Sequence, residues 1–208
     1  FALPQGDARK PAPPPEERAR EEAERGRQTN HGFRKLEILD GNIGYLELLG
    51  FTPAEVAGET AVAAMGFFAN VDALIIDLRA NGGGHPSMIQ LLLSYFFAEP
   101  THINSFEHRG QTQIDQSWTL PHVPGKRLTD VPLYVLTSGR TFSAAEEFSY
   151  DLKCLKRATL VGERTGGGAH PGDVHEIEGL LGVFIPDGRA INPVTGTNWE
   201  GVGVEPDL

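Results

Sequence analysis

Between Val71 and Pro86 the chain passes from an apolar run, Val71-Asp-Ala-Leu-Ile-Ile-Asp-Leu-Arg79, through Gly82, Gly83 and Gly84 into a segment opened by Pro86. This passage constrains the fold strongly. A near-continuous apolar run of this length reads as a strand buried on both faces, the pattern of a parallel sheet covered by helices. Proline suits the first turn of a helix, and Met88, Leu91, Leu92 and Tyr95 then recur at helical spacing. Three consecutive glycines between them permit φ > 0 and let a peptide N–H approach a bound group closely.

A second passage repeats the strand-to-helix design. Pro132-Leu-Tyr-Val-Leu136 is a buried-strand pattern, and Phe148, Leu152 and Leu155 mark a helix that starts at Ala144. Ser143 stands at the junction. A nucleophile belongs in such a place, because unpaired N–H groups and the positive end of the helix dipole could hold an oxyanion beside it, the N–H of Ala144 first among them. Serine is equally a preferred N-cap, and Glu146 three residues on completes a capping box. The glycine loop offers a second oxyanion donor. It has neither the GxGxxG spacing nor a following Lys-Ser/Thr, so neither nucleotide fingerprint is met.

Five motifs follow one another in order: Gly44-Tyr-Leu-Glu-Leu48, Asp77-Leu-Arg-Ala-Asn-Gly-Gly-Gly84, residues 137–146, Val161-Gly-Glu-Arg-Thr165 and Trp199-Glu-Gly-Val-Gly-Val-Glu-Pro-Asp207. The set resembles the S41 family of serine peptidases, which includes the C-terminal-processing or tail-specific proteases and tricorn protease. Within it the chain is most similar to the branch related to interphotoreceptor retinoid-binding protein. The resemblance covers residues 30–208. It implies a crotonase/ClpP-like ββα spiral core, Ser143 as nucleophile, Ala144 as one oxyanion donor, and Gly83 within the glycine loop as the other.

One position departs from the tail-specific pattern. Those proteases use a Ser-Lys dyad, and the lysine position falls here on Gly168. A serine hydroxyl needs a base at neutral pH, and tricorn protease uses a histidine with a glutamate instead. Of the seven histidines, His170 stands two residues beyond Gly168, on the same face if the chain is extended there. It is the first candidate. His85 after the glycine triplet and His31 before the first strand are the alternatives. Glu200 matches the tricorn-type glutamate by resemblance; its role would be to orient the imidazole. A loop carboxylate beside a packing Trp199 is the plainer alternative.

The remaining chain agrees with an α/β core. Strands are expected over 33–39, 44–49, 71–79, 132–138, 159–162 and 182–186, with helices over 53–69, 86–97 and 144–156. Residues 99–130 read as a polar flap or hairpin. Residues 1–29 read as a proline-rich leader and a charged helix, either a linker or the remnant of an N-terminal helical domain. The peptidase-like core takes 30–208, with no room for a PDZ module. The net charge of −10 argues against nucleic acid, no apolar run reaches the roughly 18 residues that span a bilayer, and the single cysteine, Cys154, excludes an internal disulfide. No C-x-x-C or His-Glu-x-x-His spacing appears, so neither a metal nor a cofactor is expected. The partners implied are a peptide or protein substrate, cut through an acyl-enzyme, or an apolar ligand such as a retinoid or fatty acid held without chemistry. Association into a homo-oligomer is left open. The family suggests a periplasmic or secreted setting, although the chain shows no signal-peptide pattern.

Overall fold

Leu46, Ile76, Val135 and Leu160 stand side by side across four strands, each no more than 1% exposed, and this apolar row is the spine of the molecule. The computed structural model describes residues 15–177 and 181–208. Along the chain its elements are α1 (Pro15–Gln28), β1 (Phe33–Leu39), β2 (Ile43–Leu48), α2 (Ala54–Phe67), β3 (Ala73–Asp77), α3 (Pro86–Leu93), β4 (His102–His108) and β5 (Ile114–Trp118). There follow β6 (Leu133–Thr137), α4 (Ala144–Cys154), β7 (Thr159–Gly162), β8 (Gly172–Ile177), β9 (Leu181–Pro186) and β10 (Gly188–Ile191).

The main sheet has the order β1-β2-β3-β6-β7. Only β1 runs antiparallel to its neighbour; β2, β3, β6 and β7 are parallel. Parallel strands require crossovers, and α2, α3 and α4 supply apolar faces to cover them. α2 packs on α3 and α3 on α4, with Phe51 against Phe148 at 5.5 Å between ring centroids. The expected α/β class with a largely parallel sheet is what the chain forms.

The polar stretch after residue 99 forms the β4–β5 hairpin, and β10 joins it to make a second, antiparallel sheet of order β10-β4-β5. β8 and β9 form a separate two-stranded ribbon. The 182–186 strand was legible; β8 and β10 were not. The charged helix α1 carries the Glu24–Arg27 pair at 2.7 Å on its surface. No helix among the described residues is long and apolar enough to cross a membrane.

Three loops leave the carboxyl ends of parallel strands: 78–85 after β3, 138–143 after β6, and 163–171 after β7. They converge on one edge of the sheet, where side chains from different strands can meet around a ligand.

Candidate active site

Ser143 connects β6 to α4 at φ 55°, ψ −122°, a conformation that side-chain-bearing residues rarely adopt. Holding a non-glycine residue there costs about 1–3 kcal/mol, so the surroundings must over-determine it. Glu146 is the main restraint. Its carboxylate, fully buried, accepts from Ser143 N–H at 2.8 Å, Thr165 Oγ1 at 2.5 Å, Gly167 N–H at 2.6 Å and Gly168 N–H at 2.9 Å. Both halves of the expected capping box are recognisable, with the Ser143 side chain facing the Glu146 N–H in return, but the Ser143 hydroxyl makes no cap hydrogen bond. Its oxygen stays available for chemistry.

The glycine loop lies directly against this elbow. Gly83 sits at φ 109°, and a Cβ there would stand 2.8 Å from Ser143 Cβ and 2.9 Å from the Phe142 carbonyl oxygen. The Gly83 N–H donates to Asn81 Oδ1 at 2.9 Å, so the donor nominated from sequence is already engaged. The next peptide unit differs. Gly84 borders the cavity beside Ser143, and its parallel bridge to Phe51 uses Gly83 O and His85 N–H. That pattern turns the Gly84 N–H to the opposite side, without an acceptor among the described residues. The Ala144 N–H is likewise without one and lines the same cavity. Gly83→Val is expected to lower any turnover at least a hundredfold while affinity changes little, because its side chain would push Ser143 off the N–H groups that should hold the developing charge. A variant with parental kcat would remove the loop from the site.

The cavity measures about 210 Å³ and takes Ser143, Ala144, Gly84, Gly168 and His170 into one lining. Glu200 meets the base candidate through the backbone: its Oε2 accepts from Ala169 N–H at 2.7 Å and His170 N–H at 3.2 Å, and lies 3.9 Å from His170 Nδ1. The structure thus brings Ser143, His170 and Glu200 together, with the carboxylate near the imidazole but outside hydrogen-bond reach. The alternatives stand apart from the cavity lining. His85 caps α3, its Nδ1 accepting from Ser87 N–H at 3.2 Å. His31 lies in a turn after α1 at φ 54°, with its Nδ1 buried against Gly26 and unpaired among the described residues.

Gly168, at the lysine position, lies under the Phe142 ring. A Cβ at 168 would overlap the ring, coming 2.7 Å from Cε2. Trp199, 2% exposed, fixes the peptide by donating from Nε1 to Gly168 O at 3.1 Å.

Two acids on α4 were not singled out from sequence. Glu147 and Asp151 are four apart on the buried side of the helix, 6% and 0% exposed. Burial pushes the Glu147 carboxyl up to about 7, with Asn104 alongside acting in the opposite direction. Burial and then the nearby Glu147 charge push Asp151 well above the usual carboxylate range. An acid pair at i, i+4 beside Ala144, Phe148 and Leu152 was the available signal.

The folded state holds these protons more tightly than the unfolded chain. The stabilising contribution of the Glu147 proton is complete below about pH 4 and is lost as pH rises through about 7. Urea unfolding should lose on the order of 3 kcal/mol from this source between pH 5 and 8, and Glu147→Gln should flatten the curve. Equal slopes in parent and variant would contradict the assignment.

The fold is an α/β one with a largely parallel sheet and a serine at a strand–helix elbow. The chain belongs to peptidase family S41, whose model matches residues 42–208. It is 29% identical to carboxyl-terminal-processing peptidase 1, chloroplastic, of Arabidopsis thaliana over 87% of this chain and 36% of the relative. It is 32% identical to the carboxyl-terminal-processing protease of Synechocystis sp. over 69% of this chain and 32% of the relative. The chain therefore spans about a third of the length of these relatives. Among solved structures it is similar to the photosystem II D1 C-terminal processing protease, with a TM-score of 0.62, 26% identity, and coverage of 80% of this chain and 41% of the other. Mature CPAF complexed with lactacystin shares the fold, with a TM-score of 0.68, 18% identity, and coverage of 79% and 46%.

Proposed function

We propose that this chain is the core of a serine peptidase that cleaves peptide bonds through an acyl-enzyme on Ser143, acting on unfolded or C-terminal peptide segments. One observation carries the reading: a serine in a strained backbone conformation, its hydroxyl uncommitted, shares a cavity with free N–H groups of Ala144 and Gly84. Ser143 Oγ attacks the peptide carbonyl, and His170 takes its proton. Because Nδ1 faces Glu200, Nε2 is left for the serine. The two N–H groups hold the oxyanion, and the imidazolium returns the proton to the departing amine. The names of the relatives support C-terminal segments as substrates. Residues 1–29 would link the core to the rest of a longer protein, and a periplasmic or secreted setting suits that reading.

The apolar walls Phe106, Trp199 and Ala169 favour a second reading, in which the cavity holds a retinoid or fatty acid without chemistry. A fluorophosphonate probe separates the two. Labelling at Ser143, lost almost entirely in His170→Ala and partly in Glu200→Gln, is the expected result. Full labelling of His170→Ala moves the base to another group. Absence of labelling together with tight retinol or fatty-acid binding would replace the peptidase reading.

A further inference from the structure

The cavity that holds Ser143 at its rim has an acid in its wall. Glu147 follows Ser143 by one helical turn, about 6 Å along the axis and on the same face. It lines the cavity together with Phe106, Trp199, Ala144 and Pro86. Behind it the polar groups are incompletely paired. Asp151 Oδ1 accepts from Asn192 Nδ2 at 3.0 Å, whereas Asp151 Oδ2, fully buried, has no partner among the described residues. No basic side chain contributes to the electrostatics of either acid among the described residues.

Buried carboxyls without a cation are costly to ionise, and they become favourable ion-pair partners when a cation enters. The cavity wall around Glu147 is largely apolar, and the imidazoles of His108 and His170 share its lining. Such walls suit the methylene stem of a long basic residue, while its charged head reaches past them. An aliphatic side chain would pack against the walls and leave the acid pair as it is. A basic one would pack equally and also supply the missing charge.

We propose that this cavity receives the side chain on the acyl side of the bond attacked at Ser143, and that Glu147 makes it select lysine or arginine there. Glu147 is thus the specificity residue of the site, with Asp151 behind it reinforcing the negative potential. The inference rests on the peptidase reading for its substrate, but its cation preference can be measured without turnover.

Calorimetry of n-butylguanidinium against the uncharged n-butylurea needs no variant. The cation is expected to bind at least tenfold tighter to the parent, and the difference should collapse in Glu147→Gln and in Glu147→Leu. Peptides identical except for arginine, lysine or leucine before the cut bond should show kcat/KM at least tenfold higher for the basic pair, with the ratio falling toward one in Glu147→Gln. Equal binding of the two probes, or a guanidinium preference unchanged in both variants, overturns the proposal. Equal cleavage of arginine and leucine peptides overturns it while leaving the peptidase reading standing. Glu147-dependent guanidinium binding with no cleavage of any peptide supports the cation pocket and removes the peptidase reading.

Discussion

Ser143→Ala is expected to abolish turnover by several orders of magnitude while changing stability by no more than about 0.5 kcal/mol. Both halves follow from the elbow. The hydroxyl makes no cap hydrogen bond, so removing it leaves no buried group unpaired. The backbone strain at φ 55° is unaffected by the change to alanine. Glycine at the same position separates a chemical role from a capping one. It relieves about 1–3 kcal/mol of strain and gives back about 0.5–1 kcal/mol in chain entropy, so Ser143→Gly should unfold at higher denaturant while being equally inactive. A serine kept in an unfavourable conformation for its hydroxyl alone gives that pair of results. If Ser143→Gly is clearly destabilised, or Ser143→Ala still turns over, Ser143 is a helix cap and the site lies elsewhere.

Glu146→Ala should produce the largest loss of stability of any single change at the site. Four donors converge on this buried carboxylate, from the elbow itself, from Thr165, and from the peptides of Gly167 and Gly168. Hydrogen bonds to a charged group are worth about 1.5–3 kcal/mol each, and a buried donor left unpaired costs about 1–3 kcal/mol. These are not additive, since the loop can relax toward water. A loss of about 4 kcal/mol or more is nonetheless expected, placing this variant among the severe ones. Glu146→Gln should fall between parent and alanine, because an amide keeps one acceptor oxygen for two of the four donors. Denaturation midpoints of the three proteins are the measurement. An alanine variant within 1 kcal/mol of the parent would show that Glu146 does not hold the 165–168 loop to the elbow.

The parallel core was readable because each of its strands is an apolar run next to a turn signal. β1 and β7 coincide with their expected limits, and the helix at Ala144 starts where the sequence placed it. β4 was anticipated only as an arm of the flap or hairpin within 99–130, and its limits were hidden for a physical reason. Its buried positions include Asn104 and Ser105, so no alternation of apolar and polar residues marks it. β10, only four residues long, offers too little pattern to distinguish it from a loop. The helix from Pro86 ends at Leu93, short of the expected 97, because Ser94 Oγ turns back to Gln90 O and the next residues enter tighter turns.

Ser143, the glycine loop, His170 and Glu200 were all nominated from the chain, and the structure puts Ser143, Gly84 and His170 around one cavity with Glu200 beside His170. The choice between Gly83 and Gly84 could not be made there, since it depends on where the Asn81 side chain falls in three dimensions. Glu147 was passed over because an acid beside an N-terminal helical turn ordinarily reads as a surface residue favoured by the dipole. It is buried in the structure because it lines a cavity closed by residues distant in sequence, Phe106 and Trp199 among them.

The Phe142 ring over Gly168 gives the site a history-dependent character. A lysine introduced at 168 alone would have to displace the ring before its amine could approach Ser143. Removing the ring alone would leave a gap over Gly168 and supply no base in return. The two positions therefore carry sign epistasis: whether lysine at 168 helps or harms depends on what occupies 142. A laboratory lineage moving this chain toward a lysine base would have to take Phe142→Ala first, through a step with no benefit of its own, and selection on activity alone would keep turning it back.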